Sequence, residues 1–427
     1  MLRRSRRRIA SSIVERSDLR GGSRDQPRFM LLLVTAWRNM LVVESATPVR
    51  AAIIGTGFMG RVHARSVRVN GARLVGVTAA SPESAKLGAV ALSAERAYKD
   101  ADELMADSEI EVVHICTPNN HHARLSEAAL TAGKHVICEK PLVPGYEHAR
   151  ELASHAAQAG LVTAVPYVYR YYPMVLEARN LTQTGELGRV FLIHGSYLQD
   201  WLLDPSGTNW RVDATRGGAS RAFADIGSHW CDLAEFISGD QIAELSSQTQ
   251  VTISTRPDPE GSGPTFEAAA TDRHGLERDV TNEDIAAVLF KTERGALGSM
   301  LVSQVSAGHK NHLEIHIAGT EASLFFDQQE PDQLRVGRLE ATTILEREAS
   351  LLSSSAARHV RLPAGHPQGY QDCFDAFVGE VYAAIRSRPA TKSFPTFDDG
   401  ARAALITEAV IQSARAGGEW VSIKELV

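Results

Sequence analysis

One lysine, in the tripeptide Glu139-Lys140-Pro141, stands where a catalytic cation would be expected. It follows the apolar run His135–Cys138, which is typical of a buried parallel strand. In open α/β sheets, ligands bind beyond the carboxyl ends of the strands, where the side chain after such a strand can reach them. A lysine there can stabilise an alkoxide that develops on a substrate oxygen. Lys140 is therefore a candidate catalytic residue for redox chemistry at a hydroxyl group.

A second group of ionisable residues, Asp225, His229 and Asp232, has the spacing i, i+4 and i+7. In a regular helix this spacing places the three side chains on one face. Histidine titrates near neutral pH, so His229 is a candidate general base for a hydroxyl proton. Asp225 is expected to orient the imidazole and to stabilise its charged form. The alternative is an ordinary helix with a buried histidine and a solvated acid, and the spacing alone leaves both open.

The residues far upstream of Lys140 predict a dinucleotide-binding βαβ unit. The apolar run Val49–Ile54 predicts a buried strand, and Arg61–Val69 predicts a helix. The G-x-G-x-x-G loop between them consists of Gly55, Thr56, Gly57, Phe58, Met59 and Gly60. Its glycines allow a tight turn, close approach of a pyrophosphate and close packing of helix on strand. We expect the loop to bind the cofactor, with the phosphates over the helix N-terminus.

The end of the next predicted strand, Ala72–Thr78, bears on the choice between NAD and NADP. In NAD-binding proteins of this kind, an acidic residue about 20 positions after the glycines normally accepts a hydrogen bond from the 2′-hydroxyl of the adenosine ribose. This chain has Ala79-Ala80-Ser81 there, so no carboxylate repels a 2′-phosphate and Ser81 could donate a hydrogen bond to one. The expected cofactor is NAD(P). The choice of NAD versus NADP stays open, with a lean toward acceptance of NADP.

A third predicted strand, Glu111–Cys116, ends at the polar segment Thr117–His122. Proline cannot continue a central strand, so the chain turns at Pro118. We expect this turn to border the cofactor through Cys116, Thr117, Pro118, Asn119 and His122. His121 and His122 have no third ligand at a zinc-like spacing, so the sequence predicts no metal site.

The overall composition is that of a globular protein long enough for two domains. The chain has 427 residues, of which 44% are hydrophobic and 22% charged. Its net charge of -6 and its pI near 6.2 give no reason to expect nucleic acid as a partner. The four cysteines lie far apart in the sequence, which suits a reduced cytoplasmic protein better than a disulfide framework.

The first 47 residues do not have the pattern of a folded domain. Leu2–Arg8 is strongly basic, and the apolar run Phe29–Trp37 is too short to span a bilayer. We predict a disordered or mis-started extension over residues 1–47, with Met30 or Met40 as the functional start and no membrane association. A basic arm that binds nucleic acid is the alternative.

After residue 172 the pattern changes to longer strands with few covering helices. Strands are predicted at Arg189–Tyr197, Ile285–Phe290 and Leu313–Ile317. A surface loop is predicted over 256–277 and a final helix over 399–417. The predicted fold is α/β, with an N-terminal Rossmann dinucleotide-binding domain at 48–172. A C-terminal α+β domain at 173–427 would carry a large open, mostly antiparallel sheet for substrate binding and oligomerisation.

Taken together, these motifs resemble the Gfo/Idh/MocA family of oxidoreductases, which includes inositol dehydrogenases and glucose-fructose oxidoreductases. The resemblance covers about residues 48–427. It implies that Lys140, Asp225 and His229 form the catalytic group and contact the substrate. The chain departs from NAD-preferring relatives at Ala79-Ala80, where they have an acid.

The resemblance also implies roles for residues outside the main motifs. Arg170, near the end of the Rossmann domain, is expected to bind substrate. Glu139 and the pair Trp210-Arg211 are expected near the cofactor, with Trp210 also at the substrate. The implied substrate is a sugar, glycoside or cyclitol. The implied assembly is a homodimer or homotetramer formed through the open sheet.

Three functions fit these residues. The first is an NAD(P)-dependent oxidoreductase that transfers a hydride between a secondary hydroxyl of a sugar, glycoside or cyclitol and nicotinamide. The second retains its cofactor and uses transient oxidation for glycoside cleavage or sugar-to-sugar redox transfer. The third is a non-catalytic sugar or nucleotide sensor. A sensor does not need Lys140, Asp225 and His229, so the first function is the main prediction.

Overall fold

The first part of the chain forms a six-stranded parallel sheet in a computed structural model that describes residues 47–258, 277–387 and 393–427. The strands are Arg50–Ile54 (β1), Arg73–Thr78 (β2), Arg96–Ala97 (β3), Val112–Ile115 (β4), His135–Cys138 (β5) and Thr163–Ala164 (β6). Their order is β3-β2-β1-β4-β5-β6, with every neighbouring pair parallel. This is the strand order of a Rossmann fold, which binds dinucleotides where the order reverses beside β1.

Five helices connect these strands. They are Phe58–Val69 (α1), Pro82–Leu92 (α2), Ala101–Ala106 (α3), His122–Thr131 (α4) and Tyr146–Ala159 (α5), with a 3₁₀ turn at Asn119–His121. The helix predicted from Arg61 begins at Phe58, with Gly57 at its N-cap. Phe58, Met59 and Gly60 therefore belong to the first turn of α1, where the backbone amide groups that lack helical partners can bind a phosphate.

The rest of the chain contributes a nine-stranded mixed sheet. Its strands are Val190–Leu198 (β7), Ile242–Gln250 (β8), Ile285–Thr292 (β11), Leu297–Ser303 (β12), His312–Gly319 (β13), Ser323–Asp327 (β14), Gln333–Gly337 (β15), Thr342–Glu346 (β16) and Val421–Ser422 (β17), and a separate two-stranded ribbon pairs Thr255–Pro257 (β9) with Glu277–Asp279 (β10). The order is β16-β15-β14-β13-β7-β12-β11-β8-β17. Only the pair β7 and β12 is parallel among these described strands, so the predicted mostly antiparallel sheet is confirmed.

Helices cover one face of this second sheet and connect it to the first. They are Pro173–Gln183 (α6), Ala214–Gly217 (α7), Ser228–Ser238 (α8), Ser354–Ala357 (α9), Tyr370–Arg386 (α10) and Phe397–Arg415 (α11), with a π-helical turn at Phe223–Gly227 and 3₁₀ turns at Val168–Tyr171, Trp210–Val212 and Ile423–Leu426. Helix α10 packs on α1, and α11 packs on α5 and β8. Both C-terminal helices thus return to the nucleotide-binding sheet, and the domain boundaries at 48–172 and 173–427 stay a prediction.

The structure corrects one predicted segment and leaves others outside its range. Residues 256–277, predicted as a loop, begin within β9 and end within β10, because these ends pair as an antiparallel ribbon. Residues 259–276, within the predicted loop, and residues 1–46, within the predicted extension, lie outside the described residues. Among the helices that the structure describes, none is long and apolar enough to cross a membrane.

Candidate active site

A cavity of about 1010 Å³ lies beyond the carboxyl ends of β1, β2, β4 and β5. Three segments of the nucleotide-binding sheet border it: the glycine loop, the turn after β2 and the turn after β4. The predicted residues that line it are Gly55, Thr56, Gly57, Phe58, Met59, Cys116, Thr117, Pro118, Asn119, Glu139, Lys140, Trp210, Arg211, Asp225 and His229. Gly60, Ser81, His122 and Arg170 do not line this cavity.

The glycine loop has the shape that a dinucleotide requires. Gly55 has φ +100°, and a Cβ on it would lie 2.5 Å from the carbonyl oxygen of Cys116. A Cβ on Gly60 would lie 2.3 Å from the carbonyl oxygen of Gly55, so Gly60 serves the packing of α1 on the strand. At Gly57 no atom lies within 4 Å of the Cβ position, so the missing side chain leaves open space over the N-terminus of α1. A pyrophosphate fits this open cradle.

The adenosine end of the cavity carries little negative charge. Thr78, Ala79 and Ala80 line it, together with Ser84 and the adjacent charged pair Lys99 and Asp100. Ser81, predicted to contact the cofactor, does not line this cavity, and its side chain is the N-cap of α2. Ser81 Oγ accepts from the amide of Ser84 at 3.2 Å and lies 2.7 Å from Ser84 Oγ.

His122 supports the cavity wall instead of facing the cavity. Its Nδ1 lies 2.9 Å from the carbonyl oxygen of Pro141, and its Nε2 lies 2.9 Å from that of Thr117. The ring thus connects the turn after β4 to the turn after β5. Asn119 fixes the same wall by donating to the carbonyl of Gly217 at 3.0 Å. His122 therefore holds together two turns that border the cavity, and its contact with the cofactor stays a prediction.

Lys140 and Asp225 meet at the opposite end of the cavity from the adenosine site. Lys140 Nζ lies 2.7 Å from Asp225 Oδ1 and 2.9 Å from the Asp225 carbonyl oxygen. Both side chains are 14% exposed, so the ion pair faces the cavity while solvent is largely excluded. The π-helical turn at Phe223–Gly227 presents Asp225 to the lysine, and such turns are frequent at functional sites.

Asp225 has two further polar partners besides Lys140. Gln304 Nε2 donates to Asp225 Oδ2 at 2.8 Å, and Arg211 Nε lies 3.4 Å from Oδ1. Burial acts to raise the pKa of Asp225, but the charges of Lys140 and Arg211 outweigh it and hold the pKa well below its usual range. Gln304 directly follows β12 and was missed from the sequence, although a polar residue at a strand end is a recognisable signal.

His229 is positioned by aromatic rings and not by Asp225. Its ring lies 5.5 Å from that of Tyr167 and 4.9 Å from that of Tyr169, measured between centroids. Within the described residues, the buried His229 Nδ1 has no hydrogen-bond partner. Burial and the nearby Lys140 lower the pKa of His229 well below its usual value, against an opposing effect of Asp225. The predicted orienting contact from Asp225 is therefore absent here, and His229 is a neutral base facing the cavity.

Arg170 and Asp232 do not line this cavity, so Arg170 is not among the predicted substrate-binding residues that the structure brings together there. Arg170 pairs with both oxygens of Asp232 and with Asp399 Oδ1 at 2.8 Å. These residues line a second cavity of about 860 Å³. The wider π turn changes the angle between Asp225 and the residues after it, so Asp232 leaves the face predicted for a regular helix.

Polar and aromatic side chains surround the space next to the Lys140 and Asp225 pair. Gln199 Nε2 donates to Asn311 Oδ1 at 2.7 Å, and Trp201 Nε1 donates to Gln199 Oε1 at 2.9 Å. The Tyr197 hydroxyl also donates to Asn311 Oδ1, at 2.8 Å. Asn311 comes from the turn before β13 and was not among the predicted site residues. This wall can exchange hydrogen bonds with several hydroxyl groups.

Among the residues that the structure describes, no group of three or more His, Cys, Asp or Glu side chains could hold a metal ion. His121 and His122 point to different surroundings, since His121 lines the cavity and His122 bridges two turns.

Comparison with known proteins agrees with this geometry. A family described as "Oxidoreductase family, NAD-binding Rossmann fold" matches residues 49–167, and the GFO/IDH/MocA C-terminal domain matches residues 175–325. A levoglucosan dehydrogenase from Pseudarthrobacter phenanthrenivorans is 30% identical over 397 residues, which cover 88% of this chain and 98% of that protein. An inositol 2-dehydrogenase from Rhizobium meliloti is 25% identical over 367 residues, which cover 86% of this chain and 96% of that protein.

Solved structures of sugar and cyclitol dehydrogenases also resemble this chain. A levoglucosan dehydrogenase in complex with NADH and levoglucosan has a TM-score of 0.79 to this chain at 27% identity, covering 88% of this chain and 99% of the other. An inositol dehydrogenase homologue from Azotobacter vinelandii complexed with NAD⁺ has a TM-score of 0.77 at 27% identity, covering 88% and 98% respectively. The chain belongs to the Gfo/Idh/MocA family of NAD-binding oxidoreductases.

Proposed function

We propose that this enzyme transfers a hydride between a secondary hydroxyl of a sugar, glycoside or cyclitol and a nicotinamide dinucleotide. The observation that carries the proposal is one cavity with a dinucleotide cradle at Gly57 and the group Lys140, Asp225 and His229 at its other end. A binding protein has no need of a cation and a neutral base at the place where a hydroxyl would react. The site therefore favours catalysis over sensing.

The roles of the three side chains follow from their charges. Neutral His229 is the group that takes the hydroxyl proton, because a lowered pKa leaves its imidazole unprotonated at neutral pH. Lys140, held by Asp225, donates a hydrogen bond to the same oxygen and stabilises the alkoxide. Asp225 is a positioning residue for Lys140. When bound, the nicotinamide accepts or returns the hydride.

The substrate class is supported by the wall beside the reacting group. Gln199, Asn311 and Trp201 offer amide and indole groups in a connected network, and Tyr197 adds a hydroxyl. Polyhydroxylated rings need several such partners, and their C–H faces pack on aromatic rings. Relatives named levoglucosan dehydrogenase and inositol 2-dehydrogenase support the same class.

We propose that the enzyme accepts both NAD and NADP. Ala79 and Ala80 line the adenosine end, where a carboxylate would repel a 2′-phosphate. Lys99 lines the same region, and its charge would attract a phosphate, although Asp100 next to it reduces the effect.

We also propose a homodimer or homotetramer formed through the outer face of the nine-stranded sheet. Leu289, Leu297 and Leu301 are half-exposed on neighbouring strands β11 and β12. His194 and His316 continue the same face on β7 and β13, with their rings stacked at 4.5 Å. Half-exposed leucines clustered on one face of a sheet are typical of a protein interface. A second copy would cover it.

The proposed compartment is the cytoplasm. All four cysteines of the chain are free thiols, and Cys138, Cys231 and Cys373 are buried. Free buried thiols are typical of proteins in a reducing compartment.

The test is a substrate panel. The purified full-length protein is mixed with anhydrosugars, aldoses, glycosides and cyclitols, each with NAD⁺ or NADP⁺, and nicotinamide reduction is followed by absorbance. We expect turnover with one substrate class. If no substrate is turned over but nucleotide is recovered from the denatured protein, the alternative function would be favoured, in which the enzyme retains its cofactor and uses transient oxidation for glycoside cleavage or sugar-to-sugar redox transfer. Absence of nucleotide binding would contradict the proposed function.

A further inference from the structure

Four buried polar side chains, Tyr382, His114, His63 and Glu139, form a continuous chain of contacts, and the last of them, Glu139, lines the cavity. His63 Nε2 lies 2.9 Å from Glu139 Oε1, and His63 Nδ1 lies 2.8 Å from His114 Nδ1. His114 Nε2 lies 2.8 Å from the hydroxyl of Tyr382. The four residues come from α1, β4, the end of β5 and α10, so the chain crosses the nucleotide-binding sheet. None of the roles proposed above for the glycine loop, Lys140 or Gln199 and Asn311 involves these contacts.

The donors in this chain are aligned in one direction. A carboxylate only accepts hydrogen bonds, so His63 must present an N–H at Nε2 to Glu139. Burial and His63 lower the pKa of His114 well below its usual value, so His114 is neutral and has one N–H. Because a neutral His114 donates at only one ring nitrogen, its Nδ1–H can donate to His63 Nδ1 while its Nε2 accepts from the Tyr382 hydroxyl. Each ring nitrogen of His63 and His114 then has a hydrogen-bond partner.

Burial makes this alignment rigid. His63 and His114 are fully buried, and Tyr382 and Glu139 are 5% and 6% exposed. Phe374 on α10 packs against the His63 ring, with centroids 5.2 Å apart. Of the four residues, only Glu139 lines the cavity. Its second oxygen, Oε2, accepts from the backbone amide of Lys140 at 3.2 Å, so both oxygens are held.

We propose that His63, His114 and Tyr382 are positioning residues that hold the Glu139 carboxylate at the reacting end of the cavity, where it favours the oxidised nicotinamide over the reduced one. The inference rests on the proposed function, because it places the nicotinamide near Lys140. The oxidised ring carries a positive charge and the reduced ring carries none. A carboxylate fixed in a site of low polarity therefore stabilises the oxidised form selectively.

Other titratable groups near Glu139 do not carry the same charge. Cys116, His122 and Tyr370 interact with it electrostatically. Burial raises the pKa of Cys116 and Tyr370 well above the usual values and lowers that of His122, so all three are neutral. Among the described residues that line the cavity, the carboxylates are Asp100, Glu139 and Asp225. Asp100 lies beside Lys99 and Asp225 beside Lys140, whereas Glu139 has the His63 ring as its partner.

The experiment measures the dissociation constants of NAD⁺ and NADH by equilibrium fluorescence titration, without substrate, on the full-length protein. Glu139→Gln removes the charge and keeps the shape, and we expect the ratio Kd(NAD⁺)/Kd(NADH) to rise about tenfold. Tyr382→Phe removes one hydroxyl and leaves the ring, and we expect a rise of about two- to threefold because the alignment loses its first donor. His63→Phe removes the N–H that holds Glu139 and should lie between these two.

Tyr171→Phe is the matched control. It also removes a buried tyrosine hydroxyl, which donates to Glu380 at 3.0 Å, but it does not belong to the chain of side chains. A loss of thermal stability alone should leave the ratio unchanged in this control. An unchanged ratio in Glu139→Gln would overturn the electrostatic effect, and unchanged ratios in both Tyr382→Phe and His63→Phe would overturn the positioning effect. Failure of the unmodified protein to bind either nucleotide would instead overturn the proposed function.

Discussion

Lys140 Nζ lies 2.7 Å from Asp225 Oδ1, and this ion pair joins two segments that are 85 residues apart in sequence. The Asp225 carboxylate, which was predicted to orient His229, thus pairs with Lys140 instead. His229 stays neutral in a ring environment formed by Tyr167 and Tyr169. The site therefore separates a fixed cation from a neutral base, an arrangement suited to an alcohol that must lose both a proton and a hydride.

Asp225→Asn should lower kcat/KM by about 100-fold or more, because Lys140 loses the charge that holds it against the substrate oxygen. Steady-state kinetics on the substrate found in the panel would measure the loss. Asp232→Asn is the control, since Asp232 lies outside this cavity and pairs with Arg170. We expect that variant to lose stability while its kcat stays within about threefold of the unmodified value. Unchanged kcat/KM in Asp225→Asn would contradict the role of the ion pair.

The pH dependence of kcat/KM should report His229. Its pKa is lowered, so the imidazole stays unprotonated to lower pH than a free imidazole, and the acidic limb should fall below pH ~6.5. His229→Asn should lose activity by about 100-fold and should also lose this limb. A limb at or above pH ~6.5, or a limb that persists in His229→Asn, would show that another group is the base.

Arg170→Met should destabilise the fold and leave substrate binding nearly unchanged. Removing the guanidinium leaves Asp232 buried without its partner, which costs about 3–5 kcal/mol in the free energy of unfolding. Urea denaturation measures that loss, and KM should change by less than about twofold. A raised KM at unchanged stability would restore the substrate-binding role that the sequence suggested for Arg170.

Ala80→Asp should shift the enzyme toward NAD. Ala80 lines the adenosine end, and a carboxylate there would repel a 2′-phosphate by more than the ~1.4 kcal/mol that corresponds to a tenfold change. The ratio of kcat/KM with NADP⁺ to that with NAD⁺ should therefore fall by at least about tenfold. Ala80→Asn has nearly the same shape without the charge and should change the ratio far less. Equal effects of the two variants would remove electrostatics as the cause.

Gly57→Ala should weaken nucleotide binding without unfolding the protein. Its φ of -73° suits alanine, and the added methyl group would meet no protein atom within 4 Å, so it would occupy only the cradle for the pyrophosphate. Titration with NAD⁺ and thermal unfolding test the two parts separately. Gly55→Ala is the contrasting variant, because a Cβ there lies 2.5 Å from the Cys116 carbonyl oxygen at φ +100° and should lower stability as well. Wild-type affinity in Gly57→Ala would argue against this cradle.

Local patterns were sufficient to predict the nucleotide-binding half of the molecule. Strand β1, the glycine loop and α1 follow each other directly in the chain, so their geometry depends on neighbouring residues. The same holds for Lys140 directly after β5. Boundaries were less predictable, because caps such as Gly57 depend on backbone conformation and not on hydrophobic periodicity.

The sequence by itself determined the fold class, the dinucleotide loop and the residue types that can do the chemistry, because these depend on short spacings along the chain. Only the tertiary structure decided which partner each charge meets. Asp225 pairs with Lys140 across 85 residues, and Arg170 pairs with Asp399 across 229. One π-helical turn was enough to separate Asp225 from Asp232, and the network from Tyr382 to Glu139 forms only where α10 folds back on the first sheet. Such long-range pairings depend on packing between distant elements, which no local spacing encodes.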